Sequence, residues 1–170
     1  LGIGDNGGTD VLTPPSTDIP GLTNVFDLAL GLSHTCAVLS SGGVRCWGNS
    51  VYGQLGDGQT TTRVLVPPTS DVLGGATAIA AGLNHTCAIL STGSLHCWGK
   101  ALGNGTTVDR SDTNFEVLTG VRSVAAGVDF TCAVVGPGDV RCWGSNDNGQ
   151  LGDGTIVAKT VPTAVPSFCP

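Results

Sequence analysis

The chain reads as an all-β protein of propeller-type blades, three full repeats and part of a fourth, with antiparallel strands and an open or fragmentary ring. Two observations predict this. One phrase occurs three times: Leu32-Ser33-His34-Thr35-Cys36-Ala37, Leu83-Asn84-His85-Thr86-Cys87-Ala88 and Val128-Asp129-Phe130-Thr131-Cys132-Ala133. Each copy is followed, ten positions after its cysteine, by Cys46-Trp47-Gly48, Cys97-Trp98-Gly99 or Cys142-Trp143-Gly144. The copies start 51 and then 45 residues apart, and short β-type runs at that period between glycine-rich connectors are the mark of a propeller or repeat array.

The first copy sets the unit. Thr35, Ala37 and Leu39 alternate with His34, Cys36 and Val38, the period-two pattern of a strand. Ser40-Ser41-Gly42-Gly43 turns the chain and Val44-Arg45-Cys46-Trp47 returns it; the other copies turn on Ser91-Thr92-Gly93-Ser94 and Gly136-Pro137-Gly138-Asp139. Short glycine-containing connections between alternating runs predict β-hairpins. A hairpin centred near Ser41 sets Cys36 opposite Cys46 on one face, with Cβ atoms roughly 4.5–5.5 Å apart and near disulfide range. The same geometry pairs Cys87 with Cys97 and Cys132 with Cys142.

Before each hairpin runs a strand of small residues ending in glycine: Val25 to Gly31, Ala76 to Gly82 and Val121 to Gly127. Their size predicts tight packing on both faces, as at the inner part of a propeller. After each hairpin comes a loop rich in Gly, Asn and Asp. Gly53-Gln54-Leu55-Gly56-Asp57-Gly58 and Gly149-Gln150-Leu151-Gly152-Asp153-Gly154 are its full forms, and the middle copy keeps Leu102-Gly103-Asn104-Gly105. The repeat region divides as 1–54, a partial repeat leading into the first hairpin blade, then 55–101, 102–150 and a partial 151–170. Leu1-Gly2-Ile3-Gly4-Asp5 aligns with the Leu-Gly-Asp-Gly loops, so the expectation is a piece of a longer propeller or one completed by another chain.

The string His-Thr-Cys-Ala, a turn, Cys-Trp-Gly and then Gly-Gln-Leu-Gly-Asp-Gly resembles the repeats of the regulator of chromosome condensation family, here in a secreted, cysteine-paired variety. The resemblance covers nearly the whole chain. It implies four-stranded blades set radially, usually about seven to a ring. It does not imply one function, since that family includes a nucleotide-exchange factor, a chromatin binder, an ultraviolet photoreceptor and a bacterial β-lactamase inhibitor. Function has to come from the site.

Charged residues make up 12% of the chain and the formal net charge is −6. A nucleic-acid surface needs a basic footprint, and no run of Lys or Arg exists, so neither nucleic acid nor membrane insertion is expected. Six of the seven cysteines fall into the three pairs; such bonds persist in oxidising compartments, which predicts an extracellular protein, secreted or at the cell surface. Closing a loop of this size stabilises by about 2.5–3 kcal/mol in the chain-entropy picture. Cys169 is left over, unpaired or suited to an intermolecular bridge or to a partner on sequence outside this chain.

His34 and His85 invite a catalytic or metal reading, but the third repeat puts Phe130 in their slot. A position that accepts imidazole or phenyl is a packing position with an optional hydrogen bond. His96 shares its slot with Arg45 and Arg141, at a blade edge or facing solvent. Trp47, Trp98 and Trp143 are read as blade-core residues, each needing a partner for its indole N–H. Asn146-Asp147-Asn148-Gly149 with Asp153 looks faintly like a calcium loop, yet calcium needs six to eight oxygens and turn chemistry explains these residues. No catalytic set, cofactor or metal site is expected. Asn104-Gly105-Thr106 and Asn84-His85-Thr86 are N-glycosylation acceptors, Asn104 in a loop and Asn84 at a strand start.

These readings predict a non-enzymatic extracellular structural or interaction protein whose partners are other protein chains, copies of itself among them, and a building block of a surface assembly or filament. The alternatives are a protein-binding propeller, such as an enzyme inhibitor or adhesion module, and the accessory propeller of a larger enzyme. Tyr52 and Phe115 are the aromatic anchors an inhibitor would use.

Overall fold

A computed structural model describes residues 18–60 and 63–166, in which all regular structure is strand. Leu1 to Thr17 and Cys169 lie outside the described residues. The first sheet holds β1 (Val25–Leu30), β2 (His34–Leu39), β3 (Val44–Asn49) and β4 (Arg63–Val64). The second holds β5 (Ala76–Ala81), β6 (His85–Leu90), β7 (Leu95–Gly99) and β8 (Glu116–Leu118). The third holds β9 (Val121–Ala126), β10 (Phe130–Val135), β11 (Asp139–Gly144) and β12 (Lys159–Ala164). Each sheet is antiparallel with its strands in sequence order, so each is one blade. The ring is not closed by the described residues.

Register follows from the hairpins. Cys36 lies opposite Cys46, Cys87 opposite Cys97 and Cys132 opposite Cys142. The Cα atoms of the pairs are 4.1, 4.1 and 4.2 Å apart, the narrow spacing of facing residues that share no ladder bonds, and the sulfurs stand at disulfide distance. On the other side of each central strand the register slips once, leaving Phe26, Thr77 and Arg122 as the extra residue of a bulge.

Blades stack through their inner strands: β5 packs on β1 and β2, and β9 on β5 and β6. Between blades 1 and 2 the core joins Ala29, Val38 and Val44 to Ile79, Ala88 and Trp98. Between blades 2 and 3 it joins Ile89, Leu95 and Leu102 to Val121, Ala133 and Trp143. Small residues on the inner strands let the sheets approach. Gly31 and Gly82 close the approach at the axis, since a Cβ on Gly31 would stand 2.7 Å from the Gly82 carbonyl and one on Gly82 would strike the Gly127 carbonyl.

The inner strands are not all packed on both faces as their composition predicts. Ile79 is 8% exposed against blade 1, but Leu28, in the same slot of β1, is 55% exposed, and Phe26 and Leu30 are 68% and 72% exposed. The alternation explains this. Ala29 turns toward blade 2, so Leu28 and Leu30 turn away from it, where no described residue covers them.

Candidate interaction site at the blade interfaces

The polar residues of the repeat meet between blades. His34 Nε2 lies 2.9 Å from Thr86 Oγ1, and Thr86 Oγ1 donates to the Gln54 carbonyl at 2.9 Å. The Trp98 indole donates to that same carbonyl at 2.9 Å. Because the threonine proton is engaged by Gln54, His34 Nε2 must be the donor to Thr86, which fixes the tautomer. One blade deeper, His85 Nε2 lies 2.8 Å from Thr131 Oγ1. These two histidines therefore tie each blade to its successor.

Burial holds both imidazoles neutral. The His34 pKa falls to about 4, chiefly through desolvation and secondly through nearby His85. His85 falls to about 4 through desolvation, against a weaker upward pull from Asp129. Each ring is packed against its own glycine, Gly31 or Gly82, with no space for a substrate between them. A base poised near neutral pH is what catalysis needs, and these groups are held well away from that condition.

The remaining sequence candidates are placed as follows. His96 is half-buried at a blade edge, its Nδ1 bonding the Thr113 carbonyl at 2.8 Å, in the slot where Arg45 pairs with Asp71. Trp47, Trp98 and Trp143 are buried. In the last loop, Asn146 is fully buried and its amide donates to Asp153 and to the Thr155 and Val157 carbonyls. Lys159 sits 3.0 Å from Asp153, and bonds from Thr155 and Lys159 hold this carboxyl far below the usual range. The side-chain oxygens of Asn146 and Asp153 already have partners, Leu151 N–H for the first and Thr155 and Lys159 for the second, and no cluster of three metal-ligating residues occurs among the described residues. Asn104 sits in a surface turn, its Oδ1 accepting from Thr106, whereas the Asn84 acceptor triplet has His85 and Thr86 buried.

Of the aromatic anchors, Tyr52 lies under Lys100 at 5.4 Å and Phe115 under Arg110 at 5.3 Å, so both rings are engaged within the molecule. Phe26, far more exposed, was not singled out by sequence. Its signal was positional: it is the bulge residue, where the other repeats carry Thr77 and Arg122. The Gln54 carbonyl was also missed, because a main-chain acceptor leaves no mark on residue type.

The profile described as "Regulator of chromosome condensation (RCC1) repeat" matches residues 27–54, 76–104 and 121–150 in one form, and 41–89 and 137–169 in another. The chain belongs to the RCC1 repeat family. It is 36% identical to the ultraviolet-B receptor UVR8 of Arabidopsis thaliana over 114 residues, 65% of this chain and 26% of that protein. It is 35% identical over 112 residues to the mitochondrial RCC1 domain-containing protein RUG3 of the same plant, 61% of this chain and 25% of that protein. Among solved structures, human WBSCR16 superposes with a TM-score of 0.75 at 27% identity, covering 84% of this chain and 40% of that one. Yeast RCC1 (Prp20), solved bound to Kap60, gives 0.75 at 23% identity over 87% of this chain and 38% of that one, which shows the shared fold. The chain thus spans about a quarter of the length of these curated relatives. Within this RCC1-repeat chain no helix is long and apolar enough to cross a membrane.

Proposed function

We propose that this chain is a non-catalytic, extracellular arc of an RCC1-type propeller that works by docking protein surfaces, with its blades pinned by disulfides Cys36–Cys46, Cys87–Cys97 and Cys132–Cys142. The observation that carries the reading is the bare face of β1. Leu28 and Leu30 line one side of that strand, are more than half exposed and are covered by no described residue. In blade 2 the slots of Leu28 and Leu30 are held by Ile79 and Ala81, which pack on the blade before them. A blade-like apolar surface therefore fits the face, from a second copy or from further repeats.

Other features support the same reading. Thirteen acidic residues outnumber the seven basic ones, for a net charge of −6, and Arg45, Arg110 and Lys159 are paired with acids, which disfavours nucleic acid as the partner. His34 and His85 are held neutral inside the fold. Glycosylation, if the chain passes through a eukaryotic secretory route, belongs at Asn104 before Asn84. Light scattering on the isolated polypeptide tests the docking claim. The expected result is a dimer or larger species that Leu28→Asp with Leu30→Asp converts to monomer. A monodisperse, cooperatively melting wild-type monomer contradicts it.

A further inference from the structure

Where the middle repeat loses four residues of its loop, a space opens between blades 2 and 3. Gly48 and Leu55 are separated by Asn49 to Gln54, whereas Gly99 and Leu102 are separated by Lys100 and Ala101 alone. The space is a cavity of about 260 Å³ lined by Ala101, Gly103, Asp129, Ser145, Lys159 and Thr160 among others. Between blades 1 and 2 the equivalent space is filled by the chain itself. There Gly53 lies on Ser111 and the Arg110 carbonyl, whose counterparts in blade 3 are Thr160 and Lys159, as the matching bonds from Gly58 to the Ser111 carbonyl and from Gly105 to the Thr160 carbonyl show.

The missing loop also leaves bonds unmade. Trp98 donates to the Gln54 carbonyl, but the indole nitrogen of Trp143, fully buried, has no partner among the described residues. It faces the cavity wall, since a Cβ on the lining Gly103 would come within 2.6 Å of it. Ala101, which precedes Leu102 as Gln54 precedes Leu55, has φ 60°. Asp129 Oδ1, in another wall, is likewise buried without a partner. Both atoms lie behind the cavity walls, since neither has accessible surface of its own, and a buried polar group left unpaired costs about 1–3 kcal/mol.

We propose that this groove binds a short glycine-containing turn of a partner protein, which takes the place of the absent loop. The occupant is read from the space between blades 1 and 2, where the turn through Gly53 lies on Ser111 and the Arg110 carbonyl, the counterparts of the lining Thr160 and Lys159. The glycine requirement comes from the filled site. Gly53 has φ 77°, and a Cβ there would stand 2.6 Å from the Ser111 Cα, so a side chain at that point of the turn is excluded. The inference rests on the protein-docking reading and narrows it to one groove.

The probe is the capped heptapeptide with the sequence of residues 49–55, Asn-Ser-Val-Tyr-Gly-Gln-Leu, titrated into the 15N-labelled chain. The indole N–H signals of the three tryptophans report separately. The expected result is a saturable shift at Trp143, whose indole lies directly behind the lining Gly103, with Kd below about 1 mM, while Trp98 stays fixed. Ala158→Phe, a substitution of an exposed lining residue, should abolish the response, and so should inserting Ser-Val-Tyr-Gly after Lys100. A Trp143 signal unmoved at saturating peptide overturns the proposal, as does a response that survives Ala158→Phe. Either failure leaves the light-scattering result untouched, and a monomer that still binds the peptide would remove the blade-docking reading alone.

Discussion

His34 and His85 make the first prediction, because their folded pKa values lie at about 4 against 6.5 for the free side chain. Between these values the unfolded chain binds more protons than the folded one, so stability rises with pH. The contribution is complete above about pH 6.5 and is lost as pH falls toward 4, by at most about 3 kcal/mol per histidine. Denaturant melts across pH 4 to 7 check it. His34→Phe with His85→Phe, copying Phe130, should flatten the slope; an unchanged slope would show that other groups set it. The packing role of these residues was legible from Phe130 in the third copy. Their partners were not, because Thr86 and Thr131 belong to the following blade, and contact across blades depends on radial stacking that no local period encodes.

The strand elements were more legible than the connections between them. Alternation and glycine turns gave the hairpins and set Cys36 across from Cys46, since the side-chain period is two and the turn fixes the register. Composition alone gave the inner strands but not their bulges at Phe26, Thr77 and Arg122, nor the short outer strands β4 and β8, which the sequence had left inside loops. Those outer strands are held by a few ladder bonds at most. The interface between elements supplies two predictions. Gly82→Ala should drive a methyl into the Gly127 carbonyl and the His85 ring, destabilising by about 1–3 kcal/mol. Thr86→Val should remove the link from His34 to Gln54 at about 1–3 kcal/mol. Urea midpoints measure both, and a neutral Thr86→Val would mean that the relay contributes nothing.

For the whole molecule, the propeller class and the family were readable because three copies say the same thing. What the copies do differently carried the function and was harder to read. The four-residue deletion after Lys100 looked like simple erosion of a loop; it matters because Ala101, left in the place of Gln54, makes no bond to the neighbouring tryptophan as Gln54 does. Leu28 and Leu30 looked like core residues of an inner strand, and their exposure follows from which way Ala29 points. The extracellular assignment and the pinned blades stand together on the cysteines, so peptide mapping under non-reducing conditions, on protein taken from its natural source with free thiols alkylated at harvest, bears on the account most directly. The account predicts the linked peptides Cys36–Cys46, Cys87–Cys97 and Cys132–Cys142 in nearly all molecules; six alkylated thiols at these positions would contradict it.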